Sequence, residues 1–260
     1  MDIAERLKEH LNVDYLFTIQ LGDKQIPVAE SIVITWGIMA FLVILALFLT
    51  HNMKLHNISK RQAVAELIVT KVEGIVSGMI GEHGVVYVPY LMTVITYLAI
   101  SNIIGVFDLG LLPTPLKPPT KDLNVTVGLS LMSILLIEFA GLRAKGGLGW
   151  LKAFLKPIGV MLPFNILEII IRPLSLCMRL FGNILAAFTI MELIKMVCPP
   201  VVPAALSLYF DLFDGLLQAY IFVFLTSLFI KEAIEPEEEE PKKKKKKKAK
   251  KEELTAGKAA

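Results

Sequence analysis

The chain has 260 residues, 55% of them hydrophobic, and a mean hydropathy of +0.63, which is typical of an integral membrane protein. Its net charge of +3 depends mostly on a lysine run at residues 242–248, so the charge gives no reason to predict nucleic-acid binding. The two cysteines lie far apart in apolar surroundings, which argues against a disulfide framework and against a metal site.

The N-terminal segment, residues 1–28, is mixed in charge and precedes the first apolar run, which begins near residue 31. This pattern does not fit a cleavable signal peptide. An organelle-import leader rich in arginine and serine is also absent. We therefore predict an extracytoplasmic N-terminal segment on a protein of the bacterial plasma membrane.

Five apolar stretches are long enough to cross about 30 Å of hydrocarbon as helices. They are Ser31–Thr50, Gly84–Phe107, Leu123–Leu142, and approximately residues 158–197 and 203–230. Helices are predicted because an open sheet would leave backbone polar groups unpaired in lipid. The predicted fold class is an all-α integral membrane protein.

Two connecting segments have patterns of their own. Between residues 59 and 82, apolar side chains recur at helical spacing opposite charged ones, which predicts an amphipathic helix at the cytoplasmic interface. A soluble helix packed on the membrane domain is the alternative. The proline-rich loop Leu112–Pro119 is predicted to be a rigid, non-helical extracytoplasmic excursion.

Basic residues indicate the orientation of the chain, because cytoplasmic loops carry an excess of lysine and arginine. If the spans alternate, three basic segments fall on one side: the loop with Lys54, Lys60, Arg61 and Lys71, the loop with Arg143, Lys145, Lys152 and Lys156, and the tail. We predict that this side is cytoplasmic and that the N-terminus faces outward.

The tail, residues 233–260, contains a glutamate run, Pro241 and seven consecutive lysines. Such a composition cannot bury apolar surface, and we predict a disordered cytoplasmic tail in contact with solvent or with lipid headgroups.

Polar residues within the fourth stretch indicate a function. Glu168, Arg172, Ser175, Arg179 and Asn183 are spaced so that they lie near one helical stripe. Glu168 and Arg172 can pair with each other, whereas Arg179 has no carboxylate one turn away. A guanidinium at a helix centre costs about 2.5–3.5 kcal/mol and cannot be neutralised by deprotonation. Its counter-charge must come from another helix or another protein.

The fifth stretch carries a second polar face, with Asp211, Asp214 and Gln218 at i, i+3 and i+7. Glu192 and Lys195 form a further i,i+3 pair. Two polar stripes on apolar helices predict an aqueous or proton-conducting seam. Each group also has a structural interpretation: a Glu168–Arg172 ion pair, a helix cap at Asp211 or Asp214, and interhelical hydrogen bonds from Asn183 and Gln218.

The segment Arg172–Asn183, RPLSLCMRLFGN, resembles the signature of subunit a of F-type ATP synthases. Supporting resemblances follow in the same order as in that family: Ser101–Gly105 at the end of the second span, Pro119–Thr126 at the start of the third, and Leu217–Phe222 in the last helix. The resemblance covers residues 29–232, which are predicted to form one membrane domain.

The resemblance implies that the last two helices pack as a long hairpin facing a rotor ring. It implies that Arg179 drives the ion off each passing rotor carboxylate and separates two offset half-channels. Gln218 is expected beside Arg179, and Asn183 one turn away. The implied partners are the c-ring, the peripheral-stalk b subunits, the soluble ATPase head and membrane lipid.

The sequence departs from one common version of the family pattern. Phe188 and Asn165 stand where some relatives have ionisable residues, and Asp211 stands where some have His or Glu. Candidates for channel polarity are therefore Asp211, Asp214, Glu168 and Glu192, and coupling to protons or to sodium remains open, with protons as the default.

No GxxxxGK[ST] motif occurs, so ATP chemistry is assigned to a partner, and this chain is predicted to be non-catalytic and to need no cofactor. Two other classes of membrane protein, a transporter that acts alone and a scaffold, are the alternatives. A transporter that acts alone would be expected to show an internal repeat, and none is visible. A membrane scaffold without transport leaves the cost of Arg179 unexplained.

Overall fold

The structure is a computed structural model that describes residues 15–21, 24–56, 58–104, 118–147, 149–150, 162–197 and 201–234. Two strands precede a series of helices. The strands are β1 (Tyr15–Leu21) and β2 (Lys24–Ala29). The helices are α1 (Glu30–Thr50), α2 (Lys60–Ile80), α3 (Val88–Ile103), α4 (Leu123–Lys145), α5 (Leu162–Val197), α6 (Val201–Ser207) and α7 (Gly215–Ile234). Short 3-10 turns at Glu82–Tyr87 and Pro119–Lys121 and a π-helical turn at Leu208–Asp214 connect them.

Within the described part of the chain, five helical segments are long and apolar enough to cross a membrane: Glu30–Thr50, Gly84–Ile103, Leu123–Lys145, Leu162–Lys195 and Leu208–Ile234. The prediction of an all-α integral membrane protein with five membrane helices is confirmed. Most of α1 is exposed, including Phe41, Ile44 and Leu47, and Ile38 is its buried residue. A helix with such a continuous apolar surface belongs in lipid.

The β-hairpin was not predicted. Strands β1 and β2 pair antiparallel from Leu21 and Lys24 back to Tyr15 and Ala29, with an irregularity between Tyr15 and Phe17. The sequence did carry a signal for it, because β-branched and aromatic residues flank the Gly22–Asp23 pair. The hairpin leads directly into α1, and residues 1–14 lie outside the described part of the chain.

Helix α2 begins and ends at well-formed caps. The Ser59 hydroxyl accepts a hydrogen bond from the Gln62 amide at the N-terminus, and Gly81 at φ 75° ends the helix. The predicted apolar face is divided between two environments. Val76 and Ile80 are buried in the core, whereas a second group is exposed: Val64, Leu67, Ile68 and Ile75. This exposed apolar group is suited to contact with lipid, so it supports the interfacial placement that we predict.

The core lies between α2, α3, α4, α5 and α7. Its fully buried side chains are drawn from all five helices: Val76, Leu91, Leu98, Ile137, Leu180, Phe222, Val223 and Ile230. Helix α7 packs against α2, α3, α4 and α5, so it is the central helix of the bundle. Gln218 of α7 lies against α5, where it accepts a hydrogen bond from Asn183.

The chain between α3 and α4 is anchored at its end. Pro119, the last proline of the loop predicted to be non-helical, begins a 3-10 turn, and residues 105–117 lie outside the described part. Asp122 then caps α4 by accepting a hydrogen bond from the Asn124 amide at 2.9 Å, and it also accepts one from the Ser31 hydroxyl of α1. These bonds fix the start of α4 against the start of α1.

Candidate functional site

Helix α5 carries an apolar stripe on one side and a polar stripe on the adjacent side. The buried stripe repeats every three or four residues: Leu176, Leu180, Ile184, Ala187 and Met191. Glu168, Ser175, Arg179 and Asn183 are exposed on the neighbouring surface, as the helical spacing predicted. Pro173 lies inside the helix, where it removes one backbone hydrogen bond near Arg172.

The Arg179 guanidinium projects from the exposed surface of α5. Among the residues that the structure describes, no side chain forms a hydrogen bond or an ion pair with it. Its surroundings include exposed Met178 and Gly182, and a Cβ atom at Gly182 would meet no atom within 4 Å. The charge therefore faces open space at the surface of the bundle, where a partner helix could approach it.

Asn183 and Gln218 join α5 to α7 at the same level. Asn183 Nδ2 donates a hydrogen bond to Gln218 Oε1 at 2.9 Å. Gln218 is 1% exposed, and its Nε2 has no hydrogen-bond partner in the described part of the chain. The resemblance implies that Gln218 lies beside Arg179; the structure bonds Gln218 to Asn183, one helical turn further along α5 than Arg179.

A cluster of charges occupies one end of the two long helices. Arg172 Nη2 contacts Glu168 Oε1 at 2.8 Å and Glu232 Oε1 at 2.9 Å, and its guanidinium lies over the Phe229 ring. The prediction of a Glu168–Arg172 ion pair is confirmed, and Glu232 is an additional partner that the sequence did not reveal. With the Asn183–Gln218 bond, these contacts show that α5 and α7 run antiparallel where they touch.

The other end of α7 carries the predicted aspartates. Both Asp211 and Asp214 lie in the π-helical turn that precedes α7, and Asp214 is partly buried. The side chain of Asp211 and that of Glu192, which is in α5, lie outside the described part of the structure. The structure thus brings Asp214 and Gln218 onto consecutive turns but describes no contact that joins Asp214 to Arg179.

Two further groups near this end were not singled out as a pair from the sequence. Lys121 Nζ lies 3.4 Å from the centroid of the Phe188 ring, a cation–π contact between the 3-10 turn and α5. Phe188 is the residue noted above for replacing an ionisable group. An aromatic ring nine residues after Arg179 gives no local signal for a lysine 67 positions earlier in the chain.

Taken along the axis of α5, the polar groups form three levels. The Glu168–Arg172–Glu232 cluster lies at one end, Arg179 with the Asn183–Gln218 pair lies in the middle, and Lys121, Phe188 and the π-helical turn lie at the other end. Among the described residues, Arg179 is the one that offers a charge to the outside at the middle level. Such an arrangement can attract an anionic group on a neighbouring helix.

Comparisons with known proteins agree on one family. The profile of the family described as ATP synthase A chain matches residues 32–231. The "ATP synthase subunit a, sodium ion specific" of Propionigenium modestum is 31% identical over 237 residues, covering 86% of this chain and 81% of the relative. The "ATP synthase subunit a" of Legionella pneumophila is 31% identical, covering 85% and 93%.

A third relative, "ATP synthase subunit a 2" of a Bradyrhizobium species, is 34% identical over 209 residues, covering 80% of this chain and 90% of the relative. The match of the family profile spans all five membrane helices and includes Arg179, Asn183 and Gln218. The chain belongs to the ATP synthase A chain family and is a multi-pass membrane subunit a of an F-type ATP synthase.

Proposed function

We propose that this chain is the ion-conducting stator subunit of the membrane Fo sector and that Arg179 couples ion flow to rotation of a c-ring. The observation that carries the proposal is the position of Arg179. Its permanent charge lies on an exposed helix surface at the middle level of the bundle, without a partner among the described residues. A charge in that place requires a counter-charge from a neighbouring protein.

A carboxylate on each rotor subunit would supply the counter-charge. The guanidinium favours the ionised carboxylate, so a bound ion leaves as the carboxylate approaches Arg179. The same charge repels a cation that would otherwise pass directly between the two sides of the membrane. Arg179 therefore separates two half-channels and forces the ion to travel with the ring.

The approach of a rotor helix is helped by the residues around Arg179. Small side chains on the exposed surface of α5, Ser175, Gly182 and Ala186, allow close contact between helix backbones. The Asn183–Gln218 bond fixes α5 relative to α7 beside this surface. The proposed rotor-facing surface is thus held by a buried contact and left accessible where the ring would pass.

Access paths from the two sides are proposed at the two ends of α7. Asp211 and Asp214 are assigned to the extracytoplasmic half-channel, because the lysine and arginine distribution orients the π-helical turn outward. Glu192 is a further candidate on α5. Glu168 is less suited to carry ions, because it is ion-paired with Arg172.

Protons are the ion that we propose, since a chain of carboxylates and water can relay them. The sodium-specific name of one relative applies to that protein and makes sodium the alternative. Synthesis that persists in sodium-free buffer would support protons. The peripheral-stalk b subunits and the soluble ATPase head complete the proposed complex, in which this non-catalytic subunit lies in a bacterial plasma membrane with its C-terminus in the cytoplasm.

Arg179→Ala tests the proposal directly. We expect ion-driven ATP synthesis to fall by about a hundredfold or more, the scale for loss of a preorganised charge. Arg179→Lys is expected to fail nearly as completely, because a compact ammonium does not replace a planar guanidinium. Synthesis is measured in energised membrane vesicles, with assembly of the complex followed by native electrophoresis. Normal synthesis in the alanine variant would refute the proposal.

A further inference from the structure

A buried amide connects three segments at the end of the bundle that holds the π-helical turn. Asn102, in the last turn of α3, is 3% exposed. Its Nδ2 donates a hydrogen bond to the Gly215 carbonyl oxygen at 2.8 Å, and its Oδ1 accepts one from the Thr120 hydroxyl at 2.8 Å. Thr120 is itself completely buried. Such fully paired buried amides hold the segments that they join in a defined arrangement.

The contact with Gly215 is close enough to require glycine. A Cβ atom added to Gly215 would lie 2.9 Å from the Cβ of Asn102, which is nearer than carbon atoms approach without displacement. Gly215 is also the residue at which the π-helical turn Leu208–Asp214 gives way to α7. The Asn102 side-chain amide therefore holds the backbone at the point where the π-helical turn changes to the α-helix α7.

A π-helical turn is a rare geometry that occurs mostly as a single turn at functional sites. Continuing the α-helical register from α7 through this turn would rotate every earlier side chain around the helix axis. Asp214 immediately precedes the gripped carbonyl, and Gln218 follows it by three residues. A restraint at Gly215 thus determines the relative orientation of these two groups.

We propose that Asn102 is a positioning residue that maintains the π-helical turn and so directs Asp214 relative to Gln218. Thr120 holds the amide of Asn102 in the orientation that donates to Gly215. The consequence for ion transport rests on the proposed function of the chain. The structural half of the proposal concerns the backbone alone and can be tested separately.

Hydrogen–deuterium exchange in the assembled complex measures local opening of the π-helical turn and does not require ion transport. In Asn102→Ala and Thr120→Val, we expect amides in residues 208–218 to exchange about tenfold faster, while those in 222–232 stay unchanged, because only the local opening is affected. Thr120→Ser should keep the parent exchange, since it retains the hydroxyl. The matched control is Thr96→Val, because the Thr96 hydroxyl bonds only to Met92 O in its own helix.

Gly215→Ala disturbs the Asn102–Gly215 contact from the other side. It provides the test if the Asn102→Ala complex does not assemble. It should accelerate exchange in 208–218 by displacing Asn102, and it should add little to Thr120→Val because both disturb one contact. Unchanged exchange in all three variants would overturn the proposal.

Ion-driven synthesis measures the consequence for transport. It should fall about fivefold or more in Thr120→Val and return to the parent rate in Thr120→Ser, as expected for a misplaced transport group. Faster exchange with unchanged synthesis would refute the positioning role in transport. If Arg179→Ala synthesised ATP normally, the proposed function would fail, and the exchange data would still decide whether Asn102 holds the turn.

Discussion

At the scale of single residues, Arg179 and Arg172 show how the same side chain takes different roles on one helix. Arg172 is only 14% exposed and is paired with two carboxylates. Arg179, seven residues later, is exposed and has no such partner among the described residues. Pairing makes the first a link between helices, and the lack of pairing makes the second available to a neighbouring protein.

The Asn183–Gln218 bond allows a prediction about stability. Asn183→Leu removes the hydrogen bond that the buried Gln218 Oε1 accepts and leaves both polar atoms of the Gln218 amide without a partner among the described residues, so we expect it to cost about 1 kcal/mol of stability. Gln218→Leu removes the buried polar atoms and should cost less, although we expect it to lower ion-driven synthesis. The measurement is thermal release of this subunit from the purified complex.

Thr189→Val is the matched control for this prediction, because the Thr189 hydroxyl bonds only to the Leu185 carbonyl in α5. It should behave like the parent. If Gln218→Leu destabilised the subunit more than Asn183→Leu, then the buried amide of Gln218 would contribute through contacts other than Asn183.

At the scale of elements, the charge cluster at one end of α5 and α7 should modestly stabilise the packing of these two helices against each other. Glu168 and Glu232 are 53% and 62% exposed, so solvent screens their pairing with Arg172. Glu168→Gln and Glu232→Gln should each cost about 0.2–1 kcal/mol in thermal release of the subunit. The double variant should cost more than the sum, because the partly buried guanidinium then has no carboxylate at this site.

The same variants test whether Glu168 conducts ions. Because Glu168 is held by Arg172, we expect Glu168→Gln to retain ion-driven synthesis within about twofold of the parent. A large loss of synthesis with normal stability would return Glu168 to the ion path, where the sequence had placed it as a candidate.

The π-helical turn is the element proposed to admit ions from outside. A carboxylate there can relay a proton where an apolar wall would be a barrier. In Asp211→Leu and Asp214→Leu, we expect at least one variant to lose about tenfold or more of ion-driven turnover without loss of assembly. Phe213→Leu is the matched control, since Phe213 is an exposed apolar neighbour in the same turn. Full turnover in both aspartate variants would place the path elsewhere, with Glu192 the next candidate.

The helices and the ion pair were predictable because their causes are local. Apolar runs of sufficient length gave the five spans, and an i,i+4 spacing gave the Glu168–Arg172 pair. The Asn102–Gly215 contact joins residues 113 positions apart, and periodicity carries no information about such a pair. The π-helical turn depends on that type of tertiary contact, so periodicity does not predict it either. The β-hairpin, in contrast, has a local signal in the β-branched and aromatic residues that flank Gly22–Asp23.

At the scale of the whole molecule, apolar side chains cover much of the outside of the bundle, while the polar residues of the proposed function lie on α5, on α7 and in the π-helical turn that precedes α7. A single subunit with this distribution is complete only in lipid and against a partner. Helix α1 contributes almost nothing to the core and exposes apolar residues along its length, whereas α7 packs against four other helices, α2, α3, α4 and α5. Helix α1 therefore has the surface of a lipid-facing helix, and α5 with α7 carries the surface that we propose meets the rotor.

The charged tail should be dispensable for assembly of the complex and for ion-driven synthesis. Residues 236–260 consist mainly of glutamate, lysine and alanine and contain too few apolar side chains to form a core. The last described helix already ends at Ile234, beyond every proposed transport residue. Deleting residues 236–260 should therefore leave assembly intact and ion-driven synthesis above about half of the parent rate, because a solvated segment makes no packed contact to lose.

A variant with Lys242–Lys248 replaced by glutamine, which keeps the length, separates the effect of charge from that of truncation. Synthesis below about a tenth of the parent in the truncated complex would reveal a function of the tail, and recovery in the glutamine variant would assign that function to its length rather than to its attraction for anionic lipid.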